Sequence, residues 1–357
     1  MNILFITAFP PCQKTAGQDY TRRLLEDLVK KGHSIRLIYS EYPGHEPELS
    51  QSITILRTIK PSYKNCLYKP SFHPFFTKRF TKETLAFIKS IADNFDMLYF
   101  DFSQVHLYSL YINHPNKVLM CHDVIAQKFS RKWVSQLPWI KKCENKLLTT
   151  SKMIVTFSEK DCNFIKENYS LPSIHVNFYL KHNKFVYNEN NLIDNRFCFY
   201  GAWNRDENTE CFLWFLINVY PELKNDKDFV VIGGGLPVNL KQKIEAYPNI
   251  KYLGFVDDPV LEISKCQALI APLHKGAGVK VKVIDALTSG TNVIGTNVAF
   301  EGIEDNINNK LFTLAEKNDE YINAINNWKK YTVKQKQDAA TEFFDKYNKN
   351  HFTDLLK

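Results

Sequence analysis

Ala271-Pro272-Leu273-His274-Lys275-Gly276-Ala277-Gly278-Val279-Lys280-Val281-Lys282-Val283-Ile284-Asp285-Ala286-Leu287-Thr288-Ser289-Gly290 is the stretch on which the reading of this chain turns. An apolar strand ends at Pro272, a Gly-Ala-Gly turn follows, and the spacing predicts a helix from Val279 to Leu287 that stops at Gly290. Amides at such a helix start point outward and favour an anion, and the glycines let backbone approach a ligand closely. Lys280 and Lys282 oppose the helix macrodipole there, at about 0.3–1 kcal/mol each. That placement makes sense if a diphosphate lies between the ammonium groups and the amides. Gly278, Lys282 and Asp285 share one side of the predicted helix, and Val281, Ile284 and Leu287 turn toward the sheet. One face thus offers amides, an ammonium and a carboxylate, a set that suits phosphates and ribose hydroxyls. The plain alternative is a strand-turn-helix with a Lys282–Asp285 surface pair.

Outward from this stretch, apolar strands alternate with helices. In the first half, Asn2–Thr7, Ser34–Tyr39, Met97–Phe100, Val118–Cys121 and Met153–Phe157 read as strands, with a helix over Gln18–Lys31. A polar, Asn-rich run, Lys181–Asn195, interrupts the pattern. It restarts with strands at Phe197–Tyr200, Phe229–Ile232, Ile250–Leu253, Ala268–Ala271 and Asn292–Gly295, and helices that include Glu210–Val219. The expectation is an α/β chain of two Rossmann-like domains facing each other across a cleft: 1–180, a linker at 181–195, and 196–331. A charged terminal helix within 332–357 can return to the first domain. A length of 357 residues suits two domains.

With Thr291-Asn292-Val293-Ile294-Gly295-Thr296 and Ala299-Phe300-Glu301-Gly302 after it, the opening stretch resembles the donor-binding signature of retaining glycosyltransferase family 4, of GT-B fold. The family pattern ends in E-A-x-x-x-G; here the acid is Asp285, in Asp285-Ala286-Leu287-Thr288-Ser289-Gly290. The resemblance implies that Asp285 binds the donor ribose. The pattern also has a Glu eight residues earlier that contacts the donor sugar, and Ala277 stands there instead. In this the chain is similar to a subgroup with a G-x-G-x-x-x-K donor loop, which shifts weight to Lys282 as the phosphate partner. Phe199-Tyr200-Gly201-Ala202-Trp203-Asn204 resembles the glycine turn that opens the family's second domain, and Asn208 and Trp214-Phe215 fit the subgroup. The usual Arg/Lys pair after that turn has only Arg205 as a counterpart. Val231-Ile232-Gly233-Gly234-Gly235 and Gly254-Phe255-Val256-Asp257-Asp258 resemble the next two elements, and Phe255 and Val256 are the expected backbone contacts to the base. The donor-binding set is therefore Gly17, Gly201, Phe255, Val256, Gly278, Val279, Lys280, Val281, Lys282 and Asp285. Gly17, in Ala16-Gly17-Gln18, resembles the family's first-domain glycine loop, which reaches the donor phosphates across the cleft.

Cys121-His122-Asp123 follows a buried strand, where active sites form in such sheets. The resemblance implies that His122 lies beside the donor sugar, and Asp123 is the candidate to orient it or an acceptor hydroxyl. No metal or other cofactor is expected, because the lysines and the helix start carry the phosphate charge. Asp226-Lys227-Asp228 spells a D-x-D but sits in a polar turn before a strand.

Net charge is +8, and residues 1–180 carry 24 Lys+Arg against 15 Asp+Glu, so the positive excess belongs to the first half. It concentrates in Arg57–Lys89, where Tyr63, Tyr68, Phe72, Phe75, Phe76 and Phe80 are interleaved, and in Lys128–Lys152 with Trp133 and Trp139. Such mixtures suit peripheral contact with an anionic membrane or a lipid-linked acceptor; no nucleic-acid motif accompanies them. Met1–Ala8 reads as a strand rather than a leader, and no run approaches about 18 apolar residues. The expected place is the cytoplasm, with membrane association on its cytoplasmic face. The expected activity is sugar transfer, with retention, from a nucleotide-diphosphate sugar to a glycan or lipid-linked acceptor. The alternatives are a sugar-nucleotide epimerase of the same fold and a non-catalytic subunit that binds a nucleotide sugar.

Overall fold

The computed structural model describes all residues except 183–185, 187, 277, 304–310 and 357; the side chains of 131, 132 and 189 also lie outside the description. The chain forms two compact units, Met1–Tyr179 with Asn350–Lys357, and Leu180–Lys349. No described helix is long and apolar enough to cross a membrane.

The first unit is a seven-stranded parallel sheet in the order β3-β2-β1-β4-β5-β6-β7. Its strands are β1 (Asn2–Thr7), β2 (Ser34–Ser40), β3 (Thr54–Ile59), β4 (Met97–Asp101), β5 (Lys117–Cys121), β6 (Met153–Thr156) and β7 (Ile174–His175). The central strands are covered on both faces, so they read as unbroken apolar runs: every residue of β4 is buried. The first helix is Ala16–Lys30, two residues earlier than the apolar stripe predicted, because the Thr15 hydroxyl caps it by accepting from the Gln18 amide. Leu24, Leu25 and Leu28 bury its stripe completely. At about 25 cal/mol per Å2, such side chains contribute roughly 1.5–3 kcal/mol each.

The second unit has six parallel strands in the order β10-β9-β8-β11-β12-β13. They are β8 (Arg196–Tyr200), β9 (Asp228–Ile232), β10 (Ile250–Gly254), β11 (Ala268–Ala271), β12 (Asn292–Gly295) and β13 (Phe312–Leu314). After β8 the helix Asp206–Asn218 starts four residues before the predicted Glu210, since Asp206, Glu207 and Asn208 read as polar loop yet suit a first helical turn. The terminal helix, Val333–Tyr347, belongs to this unit, with Phe343 and Tyr347 buried. The residues after it join the first unit, where Asn177 N donates to Asn350 O at 2.8 Å and Lys31 Nζ to Asp354 Oδ1 at 2.8 Å.

In each sheet the strand order reverses once near the middle, between β1 and β4 and between β8 and β11. Loops leaving adjacent strands on opposite sides of such a reversal part from each other and leave a crevice beyond the strand ends, where ligands bind.

Candidate active site

In the first unit the crevice is built on β1, β4 and β5. Thr7 and Asp101 end β1 and β4 and are paired in register. Asp101 is wholly buried, and its carboxylate is held from three sides. Oδ2 accepts from Thr7 Oγ1 at 2.9 Å and Thr21 Oγ1 at 2.6 Å, and Oδ1 accepts from His122 Nε2 at 2.8 Å. A carboxylate only accepts, so Nε2 carries a proton, and Nδ1 is the ring nitrogen that this bond leaves for other work.

The His122 ring is fixed on its other sides as well. Phe102 stacks on it, ring centroids 3.6 Å apart at 11°, and Tyr20 and Phe157 meet it edge-on. Phe102 holds this place with φ at +66°, which costs a bulky residue roughly 1–3 kcal/mol. Gly17 closes the group: a Cβ there would lie 3.0 Å from the Phe102 ring and 3.3 Å from His122 Nδ1. Gly17 and His122, far apart in sequence, are thus brought together. Asp123 is not the orienting acid. It makes no hydrogen bond or ion pair among the described residues, whereas Asp101 reaches His122 because β4 and β5 are neighbours in the sheet and their last residues face the same crevice. The signal available in the sequence was an aspartate directly after the apolar run Met97–Phe100.

In the second unit the crevice lies between β8 and β11. A concavity of about 220 Å3 is lined there by Tyr200, Trp203, Asn208, Ala271, Leu273 and Lys282, among others. The turn after β8 is anchored on the turn after β9. Gly201 N donates to Ile232 O, Trp203 N to Gly234 O at 2.9 Å, and Trp203 Nε1 to Ile232 O at 2.8 Å. Gly233, at φ +111°, packs directly against the Gly201 carbonyl. Gly201 in turn leaves room for Asn208, whose Nδ2 donates to Ala202 O and whose Oδ1 accepts from Lys282 Nζ at 2.9 Å. Burial lowers the Lys282 ammonium to about 8, Cys211 opposing this and Lys280 adding to it. The side chain as a whole is half-buried, but its charged end is enclosed, so it gains from any anion that enters. Phe255, largely exposed, follows β10 beside the Gly233-Gly234-Gly235 turn, and Val256 is half-buried next to it.

The helix expected from Val279 runs over Val281–Thr288. Gly278 takes φ +70°, open to glycine, and Lys280 becomes the N-cap, with Val279 in the preceding turn. The Lys280 ammonium is turned to its own loop, 2.5 Å from Gly278 O and 3.4 Å from Glu301 Oε2. Ala277 lies outside the described residues. Asp285 does not join Lys282: residues three apart are neighbours on a helix surface, yet Lys282 lines the first concavity and Asp285 a second, of about 210 Å3. That concavity is lined by Lys181, His182, Val260, Ser289 and Phe344. Among the described residues the surface pair of the plain alternative is absent, and the ligand face expected of Lys282 and Asp285 is divided between two concavities. Among the described residues no three His, Cys, Asp or Glu side chains gather as a metal site.

Both halves of the chain match glycosyltransferase families: residues 17–177 match Glycosyltransferase Family 4, and residues 194–329 match Glycosyl transferases group 1. No curated protein matches the chain by sequence. Among solved structures, WaaG, a glycosyltransferase involved in lipopolysaccharide biosynthesis, superposes with a TM-score of 0.68 at 12% identity, over 97% of this chain and 95% of its own. HepE of Anabaena, in complex with UDP and glucose, also reaches 0.68 at 12% identity, over 98% and 95%. TarM of S. aureus, in a complex that includes UDP, gives 0.68 at 11%, over 100% and 98%. At these identities the likeness is one of fold, the GT-B arrangement of two parallel-sheet domains, and the family matches carry the activity. The chain is a glycosyltransferase of GT-B fold. Within that class it falls with the group 1 glycosyltransferases.

Proposed function

We propose that the chain transfers a sugar, with retention of configuration, from a nucleotide-diphosphate donor to a glycan or lipid-linked acceptor. Its second unit holds the donor's diphosphate, and its first unit supplies His122. The observation that carries this reading is the enclosed Lys282 ammonium beside Asn208 at the order reversal of the second sheet. Charge builds on the diphosphate as it leaves. A fixed ammonium in a site poor in water stabilises that charge without reorganising, and such preorganised stabilisation commonly contributes more to catalysis than any other effect. Tyr200 lines the same crevice and Gly201 follows it; with Phe255 and Val256, which follow β10 beside the Gly233-Gly234-Gly235 turn, they suit the nucleoside. Gly278, Val279 and Val281 line the approach to the helix start, and Lys280 with Glu301 sets the shape of that turn. Asp285, apart from Lys282, is the candidate for ribose hydroxyls. His122, with its proton fixed by Asp101, presents Nδ1 to a sugar hydroxyl, and Gly17 keeps the space in front of it clear. No metal has a part in this scheme, and the cytoplasm is the compartment it fits.

A screen of UDP-, GDP- and CMP-linked sugars against purified protein tests the proposal, with the anomeric configuration of the product read by NMR. Turnover to a product of the donor's configuration supports it. An epimerised donor formed without acceptor, or tight donor binding with no turnover of any donor, replaces it with one of the rival readings.

A further inference from the structure

The two basic, aromatic segments of the first half are far apart in sequence, but they form one surface. Residues after β3 make a short 3-10 helix, Tyr63–Tyr68, and a single helical turn, Pro74–Thr77, capped by His73. Ser62 N and Asn65 Nδ2 both donate to Lys78 O, which ties the first to the second. His73 then joins the other segment. Its Nε2 is 2.8 Å from Gln136 Oε1, its ring lies edge-on to Trp139 and Phe129, and Trp139 Nε1 donates to Ser71 O.

The side chains this surface shows to water are of two kinds. Leu67 is 78% exposed, Tyr63 72% and Val134 63%, and Trp133 and Trp139 are each 40% exposed. Around them stand the exposed cations Lys64, Lys82, Lys128, Lys142 and Lys146. The two segments hold only two acids, Glu83 and Glu144, and Glu144 is buried, where it caps the helix Ile125–Lys132. Lysines also lie over the rings, Lys78 over Tyr63 at 4.2 Å and Lys82 over Tyr68 at 5.1 Å. The surface borders the His122 site. Arg79 Nε donates to Ala8 O and its guanidinium covers the Phe9 ring; Phe9 packs edge-on against Phe102, and Phe102 stacks on His122.

From this juxtaposition we propose that the Tyr63–Leu67 and Trp133–Trp139 surface docks on an anionic lipid bilayer and holds the His122 site against the headgroup layer. Scattered apolar side chains of this size enter the interfacial region, and the ring of lysines meets the negative surface potential. The charge ratio argues for this occupant over a protein partner, because Glu83 is the one exposed acid that the two segments set among their cations. In the glycosyltransferase reading above, on which this rests, such a pose delivers the site to a lipid-linked acceptor.

The test uses the full chain and vesicles of phosphatidylcholine with or without about one-third phosphatidylglycerol. Co-sedimentation is expected with the anionic vesicles only and to fall steeply between about 50 and 500 mM salt, as screening shortens. A blue shift of tryptophan emission should accompany it, from Trp133 and Trp139. Lys64→Gln, Lys128→Gln and Lys142→Gln together should lower the partition coefficient about 100-fold. Leu67→Ser with Val134→Ser should abolish the blue shift at low salt. Donor binding and thermal melting of these variants should match the wild type. Equal binding to neutral vesicles, no loss in either variant, or a preference for single-stranded RNA over vesicles at equal phosphate would each overturn the proposal. Since no transfer reaction is involved, failure here is distinct from failure of the proposed activity.

Discussion

Of two neighbouring glycines in the turn after β9, one should be sensitive and the other indifferent to the same substitution. Gly233 has φ at +111°, and a Cβ there would lie inside the van der Waals radius of the Gly201 carbonyl oxygen, a backbone atom that cannot swing away. Gly234 has an ordinary φ, and its Cβ would meet nothing nearer than Phe255 Cβ at 3.8 Å. Gly233→Ala therefore carries a left-handed backbone cost of roughly 1–3 kcal/mol and an overpacking cost of similar size, about 2–6 kcal/mol together. Against the roughly 5–15 kcal/mol that holds a domain folded, that is a large share. With a urea dependence near 2 kcal/mol per M, the unfolding transition of the second unit should move down by about 1–3 M for Gly233→Ala. Gly234→Ala should stay within about 0.3 M of the wild type. Any relaxation that relieves the clash must push the Gly201 turn outward. That turn positions Asn208, and Asn208 holds Lys282, so surviving Gly233→Ala protein should also bind nucleoside diphosphate about tenfold or more weakly by calorimetry. Coincident transitions for the two variants, or a destabilised Gly233→Ala protein with unchanged nucleotide affinity, would refute the coupling between the two turns and Lys282.

Lys282→Met should weaken nucleoside-diphosphate binding about 10–100-fold by calorimetry, the range of a charge-assisted hydrogen bond. Because burial lowers Lys282 to about 8, wild-type affinity should fall as pH rises through 8, with proton uptake on binding near that pH, and the variant should lose both effects. In the free protein the sign is reversed: the enclosed ammonium is a penalty below pH 8, relieved as pH rises from 8 toward the ordinary lysine value. His122→Ala should lower the turnover number about 10²–10⁴-fold while nucleotide affinity stays within about twofold, and Asp101→Ala should follow it; full turnover in either removes the role. Burial raises the Glu144 carboxyl to about 7, against the opposing pull of the Tyr169 hydroxyl and the Ile125 and Ala126 amides. The folded chain then binds more protons than the unfolded chain between about pH 4.5 and 7, so this contribution to stability is full below that window and lost as pH rises through it. Glu144→Gln should flatten the change in urea midpoint between pH 5 and pH 8.

The strands that the sequence pattern misses are β3, β7 and β13, and each lies at the edge of its sheet. A central strand in a parallel sheet is covered on both faces and spells an apolar run, as Leu98 to Phe100 and Val293 to Ile294 do. An edge strand is partly wet: Thr54–Ile59 has a single buried residue, and Phe312–Leu314 has none. Their composition follows that exposure, so the periodicity that marks the middle of each sheet fades toward its sides.

The same distinction governs the site. Gly17, Gly201, Gly278 and Lys282 announce themselves locally, by glycine beside a helix start or by a cation in an unfavourable first turn. Asp101 does not, because its meaning depends on which strand lies beside which. Read along the chain, Asp123 is next to His122 and Asp101 is 21 residues away. Read across the sheet, β4 adjoins β5, and the aspartate that ends one strand lies beside the histidine that follows the other. The order of strands is set by crossover connections, not by any residue at the site, so a local motif marks the glycine turn and the lysine of one sheet's crevice and misassigns the acid in the other. Lys282 and Asp285 show the converse limit. Three positions apart on an eight-residue helix, they lie only about 60° apart around it, yet the neighbours packed on that helix place them in separate concavities. A ligand that touches both must therefore reach from one concavity to the other, as an extended nucleotide can and a lone phosphate cannot.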